Sequence, residues 1–133
     1  MSRAPEVELQ EILDADSVVS GHFNAVYQYV PQRTARPPFM VVSLVSDNNE
    51  RMYLSYWGGS ATVQLDVYTK GASSGHELRA IVKDAVRKIR GVQRSDLKIT
   101  SVTVINEQTF GLDDTGLYRS VIDVRVNYTE EKE

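Results

Sequence analysis

The chain contains no cysteine, which removes disulfides, thiol nucleophiles and cysteine-bound zinc from consideration. Histidine is scarce as well. His22 and His76 are the two present, and neither has a second ligand at H-x-x-x-H spacing, so both read as surface or capping residues. No apolar run approaches the ~20 residues that span a bilayer, so no membrane partner is expected. The start, Met1-Ser2-Arg3-Ala4-Pro5-Glu6-Val7-Glu8, lacks the apolar core of a secretion signal, and residence in the cytoplasm where the chain is made is the expectation. Positive charge is not in excess: the formal net charge of -3 gives no reason to expect general nucleic-acid affinity. The glycines lie without a lysine and Ser/Thr in phosphate-loop register, so a phosphate cradle is excluded too.

What remains is the composition of one globular domain. A chain of 133 residues has room for a single core, so 1–133 is expected to be one domain with 129–133 as a solvated tail. Residues 5 to about 16 read as a short helix, with Pro5 in the first turn, Glu6 and Glu8 complementing its dipole, and Val7, Ile12 and Leu13 as an apolar stripe. Strands are predicted over about 23–30, over the nearly continuous apolar run 39–46, and over 51–57 after a turn at Asp47-Asn48-Asn49-Glu50. Gly58-Gly59 suits a hairpin turn, and 61–68 continues the paired strand. The helix at 74–90 carries Leu78, Ile81, Val82, Ala85, Val86 and Ile89 on one face, with a capping box at Ser74-Gly75-His76-Glu77 and Gly91 as C-terminal cap. Strands at 97 to about 107 and at 117–128 end the chain, joined by an acidic loop at 108–116. The last strand alternates: Tyr118, Ser120, Ile122, Val124, Val126 and Tyr128 lie on one side, while Arg119, Asp123, Arg125 and Asn127 make the other polar. These elements define an α+β fold, a mostly antiparallel sheet of about six strands with two helices packed on one face. The crossover from Tyr68 through the helix to Leu97 is long enough to create one parallel pair.

Three groups of side chains are candidates for function. Tyr53, Tyr56 and Trp57 cluster beside Gly58 and Gly59, where rings on a projecting hairpin would anchor a protein interface. The alternative is a hairpin folded back over its own core. Glu107, Asp113 and Asp114 place three carboxylates in or beside one loop, but they lack the ligand rhythm of a calcium site, and a solvated turn accounts for them. Arg79, Lys83, Arg87 and Arg90, with Arg94 beyond them, recur at helical spacing as a basic stripe that either faces a partner or is an ordinary solvated helix face. No catalytic, cofactor-binding or metal-binding constellation is present, so no cofactor and no enzymatic activity are expected.

Several segments, in order, carry a resemblance. Pro37-Pro38-Phe39-Met40-Val41-Val42 follows a short helix and a strand. Gln64-Leu65-Asp66-Val67-Tyr68 precedes the main helix 77–90 with its Gly91, and Thr115-Gly116-Leu117-Tyr118-Arg119 and Val124-Arg125-Val126-Asn127-Tyr128 close the chain. Over about residues 5–129 this arrangement resembles the tail terminator (tail-completion, tail-to-head joining) proteins of long-tailed bacteriophages. The resemblance implies a structural virion protein that caps the tail tube, stops its polymerisation and offers a docking surface to the head connector.

It further implies a homo-oligomeric ring, usually a hexamer. The implied partners are the protein itself, the major tail tube protein and the head-completion or connector protein, with DNA passing through the lumen unbound. The location implied is the head-proximal end of the tail in the virion, and the host cytoplasm during assembly. A lumen that passes DNA should avoid dense positive charge, which makes Glu107, Asp113 and Asp114 candidates for its lining and leaves the basic stripe for a partner. A head-completion or connector subunit of the same virion is the alternative, and a small-molecule-binding α+β domain a more distant one.

Overall fold

The computed structural model describes residues 4–31, 34–53, 56–94, 96–112 and 116–131. The element order is α1 (Pro5–Ala15), α2 (Ser17–His22), β1 (Ala25–Gln28), β2 (Phe39–Tyr53), β3 (Tyr56–Thr69), α3 (Ala72–Arg87), β4 (Arg90–Arg94), β5 (Leu97–Leu112) and β6 (Tyr118–Glu131). The strands form one mixed sheet in the order β1-β2-β3-β6-β5-β4, curled into a half-barrel, so the fold is α+β as expected.

The helices share one face of that sheet. Alternation puts Met40 and Val42 of β2, Ala61, Val63, Leu65 and Val67 of β3, and Ile122, Val124 and Val126 of β6 on this face, all fully buried. Leu9 and Leu13 of α1, Val19 of α2, and Leu78, Val82 and Val86 of α3 close over them in one cluster. Each such aliphatic side chain removed from water contributes about 1.5–3 kcal/mol, so the face that seats the helices is also the main source of stability. Phe39 and Val41 are buried on the opposite face, which makes 39–42 the part of β2 covered on both sides.

Several elements differ from the sequence reading for identifiable reasons. The predicted strands 39–46, 51–57 and 61–68 are two long strands, β2 and β3, because the Asp47-Asn48-Asn49-Glu50 segment is extended and paired rather than turned. Gly58 and Gly59 are not a hairpin turn. They lie inside β3, opposite Glu50 and Asn49 of β2 and opposite Thr129 and Tyr128 of β6. The count of six strands holds because β4, two arginines and a glutamine among its five residues, pairs with the start of β5. β5 extends to Leu112 and β6 to Glu131, so most of the expected acidic loop and of the expected solvated tail is strand, with Glu130 buried.

Among the described residues the one parallel pair is β1 with β2 and not the helix crossover, which carries the chain from β3 to the far edge. Tyr29, with a φ of 63, ends β1 at Gln28, two residues before the predicted end. A third helix, α2, forms from the β-branched segment after Asp16 because the Asp16 carboxylate caps it, accepting from Val18 N–H at 2.9 Å and Val19 N–H at 3.1 Å. α3 begins at Ala72 after Gly71 with no side-chain cap, so Ser74-Gly75-His76-Glu77 is not a capping box. It ends at Arg87 with Lys88 as its C-cap, and Gly91, with a φ of 61, lies in β4 instead.

Gly59 is required for space. A Cβ there would overlap the end of the Tyr128 ring, and that ring is buried and tied to Asp47 by a 2.6 Å hydrogen bond, so it cannot swing aside freely. We expect Gly59→Ala to cost about 1–3 kcal/mol as an overpacking change, read as a lowered denaturation midpoint. A midpoint equal to the unmodified protein's would show that the ring moves without cost.

Candidate assembly surfaces

At the far end of the β2–β3 pair Tyr53 stands opposite Tyr56 and Arg51 opposite Trp57. The three aromatic positions therefore lie at this end of the pair, beyond Gly58 and Gly59. The side chains of Tyr53 and Tyr56 lie outside the described residues. Trp57 is half-buried and also stands opposite Glu130 of β6.

Below this tip the hairpin is locked to β6 by a polar cluster. The Tyr128 hydroxyl donates to Asp47 Oδ1, and the Asn49 amide donates to the Tyr128 oxygen at 3.1 Å and to Glu130 Oε1 at 2.7 Å. Burial raises the Tyr128 pKa above its ordinary 10.0, the bond to Asp47 adds to the rise, and the donor from Asn49 opposes it. The polar run that resembled a turn in the sequence thus supplies the partners of a buried tyrosine.

The basic stripe divides into three parts. Arg79 and Lys83 of α3 both pair with Glu107 of β5, at 3.3 Å and 3.1 Å, and Arg79 also donates to Thr109 at 2.7 Å. Glu107 is therefore a strand residue on the helix-bearing side. Arg87 is exposed at the end of α3. Arg90 and Arg94 are not on the helix at all. Arg90 is exposed at the start of β4, while Arg94 reaches back to α1, pairing with Glu8 at 2.7 Å and Glu11 at 3.1 Å. Glu6 and Glu8 lie in the first turn of α1 as expected of dipole partners, and both are buried, with Glu6 accepting from the Tyr29 hydroxyl at 2.9 Å. Asp113 and Asp114 lie outside the described residues.

Two features of the surface escaped the sequence reading. The face without helices carries an aromatic row, Phe39 stacked on Tyr68 at 4.9 Å and edge-on to Tyr27 at 5.9 Å. Beside it Arg119 pairs with the largely buried Asp66 at 3.2 Å and lies over the Phe110 ring at 5.2 Å. The second feature is a set of exposed apolar side chains on β2 and β5, namely Val45, Ile105, Phe110 and Leu112. Alternation alone could not have revealed them, since register shifts between Leu44 and Ser46 and between Val104 and Asn106 move the affected residues out of phase.

His22 and His76 are both exposed. The His22 ring nitrogen bonds to the Val18 carbonyl at 2.8 Å, and His76 lies 3.2 Å from Arg79. No group of acidic and histidine side chains among the described residues is arranged to hold a metal ion. No helix of the described residues is long and apolar enough to cross a membrane.

Comparison with known proteins points one way. Residues 7–129 match the family described as "Tail completion protein gp17". A chain in a solved structure titled "Virion of native gene transfer agent (GTA) particle" has a similar fold, with a TM-score of 0.70 and 18% identity, covering 95% of each chain. No curated protein matches the sequence.

The Tyr128 cluster generates a pH prediction. A hydroxyl that titrates higher in the folded state than in the unfolded one gives stability that is complete below the unfolded value of about 10 and is lost as pH rises beyond it. Stability measured by denaturant from neutral pH to about pH 11 should therefore fall more steeply for the unmodified protein than for Tyr128→Phe. Parallel curves would remove Tyr128 from the account of alkaline stability.

Proposed function

The chain belongs to the tail completion protein gp17 family, a family of phage structural proteins, and from that membership we propose that it is a tail terminator. In this role it caps the tail tube, ends its polymerisation and presents a docking surface to the head connector. The observation that carries the reading is the extent of the match, which reaches into every element from α1 to β6 and leaves no separate unit of the described fold outside it.

The working form is a homo-oligomeric ring, a hexamer, that assembles on the end of the tube and is monomeric or weakly associated when dilute. Its partners are further copies of itself, the major tail tube protein and the head-completion or connector protein. It sits at the head-proximal end of the tail in the virion, after assembly in the host cytoplasm. DNA passes through the lumen without specific binding. The division of the fold into a helix-bearing face and an open face supports such a geometry, with the helices outermost. Because Arg79 and Lys83 take up the Glu107 carboxylate, the negative lumen lining expected of Glu107 falls on this reading to Asp113 and Asp114. A negative lining repels DNA phosphates and lets the duplex slide. Arg87 and Arg90, exposed beyond the ion pairs, are then the cations of the stripe that face a partner.

Removing the protein during assembly tests the role. Tails should grow abnormally long or fail to join heads, as seen by electron microscopy. Tails of normal length that stay unjoined would reassign the protein to the neck as a connector subunit, and normal, joined tails would end the proposal.

The hairpin end is proposed as an interface element anchored by Tyr53, Tyr56 and Trp57, with Gly58 and Gly59 keeping β3 slim beneath it. Trp57→Ala should then weaken association by about 2 kcal/mol or more while leaving the monomer's melt little changed. A loss of roughly 3–5 kcal/mol in folding stability would instead make Trp57 a core residue.

A further inference from the structure

The long strands β2 and β5 lie second from the opposite edges of the sheet, and each is flanked on its outer side for only part of its length. β1 pairs with β2 from Phe39 to Val42, and the Tyr29 N–H donates to the Val42 carbonyl as the chain leaves. β4 pairs with β5 from Leu97 to Ser101. Among the described residues, 43–53 of β2 and 102–112 of β5 therefore have a strand on one side only. An open edge offers unpaired N–H and C=O groups to any strand that arrives, and protein sheets guard such edges with charged side chains, lysine above all, with proline or with bulges, of which both segments carry the bulges. Neither free segment contains a lysine or a proline. Instead they expose Val45 (57%), Ile105 (41%), Phe110 (44%) and Leu112 (63%).

We infer that the free half of β2 in one copy pairs with the free half of β5 in the next, joining the sheets of neighbouring subunits edge to edge. This deepens the ring reading given above and rests on it. The two edges are unlike, so the contact is heterologous, the kind that closes a ring by rotation. Strand direction permits it: β2 to β3, β3 to β6 and β6 to β5 are each antiparallel, so β5 of one copy meets β2 of the next antiparallel as well.

The stagger also fits. Within one subunit Val102 is level with Asp47, through Val126 and Ala61. Pairing the free halves end to end brings position 102 within one residue of position 53 of the next copy, in the register that sets Asn48 opposite Asn106 or Gln108, a slip of about six residues or ~20 Å at the usual rise per strand residue. A repeat of four strands is ~19 Å wide. That ratio tilts the strands by about 45°, close to the tilt at which closed barrels settle. β1 and β4 act as stops on either side of the new pairing, and the hairpin end of the incoming copy arrives beside Arg90.

The absence of native cysteine makes the test clean. Inside one subunit β2 and β5 are separated by β3 and β6, about 14 Å across, which is too far for a disulfide. Asn48→Cys combined in turn with Asn106→Cys or Gln108→Cys should give, on mild oxidation of assembled tails, a ladder of cross-linked multimers, whereas each single variant should give none. Val45→Lys and Ile105→Lys, at exposed positions, should leave the monomer's melt unchanged and weaken ring association at least tenfold. A ring visible on tails without any ladder in the double variants would overturn the edge pairing and leave the ring standing. Cross-linking of a single variant would also overturn it, since like edges would then meet. Tails with neither ring nor ladder would remove the ring reading itself, and the edge pairing with it.

Discussion

The ladder between β3 and β6 is the constraint on which the rest of the fold depends. It runs from Tyr56 opposite Glu131 to Thr69 opposite Tyr118 without a register shift, whereas the ladders on either side of it, β2 on β3 and β5 on β6, each contain shifts. The middle of the sheet is thus regular, and the irregularity is confined to the strands that flank it. Bulges raise local twist and bend the strand that carries them, so their placement on β2 and β5 accounts for the curl of the sheet into a half-barrel. The helices close the concavity. α3 lies over β3, β5 and β6, α1 lies over β1, β2 and β3, and α2 bridges them.

The regular parts were legible in the sequence and the irregular parts were not, for a physical reason. β6 and α3 have unbroken periods, and both are present near their expected bounds. Gly58-Gly59 misled because glycine serves two purposes. It was read for the positive φ of a turn, but Gly59 is there to admit the Tyr128 ring, a partner 69 positions away that no local pattern reveals. Asp47-Asn48-Asn49-Glu50 misled in the same way, since its polar groups serve that tyrosine and Glu130 rather than a turn. β4 was hidden because arginines at helical spacing continue past the end of α3 and then change structure without changing composition.

Among the candidate site residues, the position of Tyr53, Tyr56 and Trp57 at one end of the β2–β3 pair was readable from spacing. The neutralisation of Arg79 and Lys83 by Glu107 was not, because it depends on β5 crossing beneath α3. The open halves of β2 and β5 were invisible for a similar reason. Whether a strand has a neighbour depends on the lengths of β1 and β4, which follow from where Tyr29 turns and where α3 releases the chain.

The central claim is that this curled sheet, with one unlike half-edge at each side, is the repeating unit of a ring on the tail. The most direct measurement is an electron cryomicroscopy reconstruction of the head-proximal end of the tail, at a resolution that separates strands. The account predicts a ring of this fold in which strands run continuously from β5 of each subunit to β2 of the next, with the helices on the outside. A ring whose subunits touch only through helices or loops, with 43–53 and 102–112 open to solvent, would contradict it.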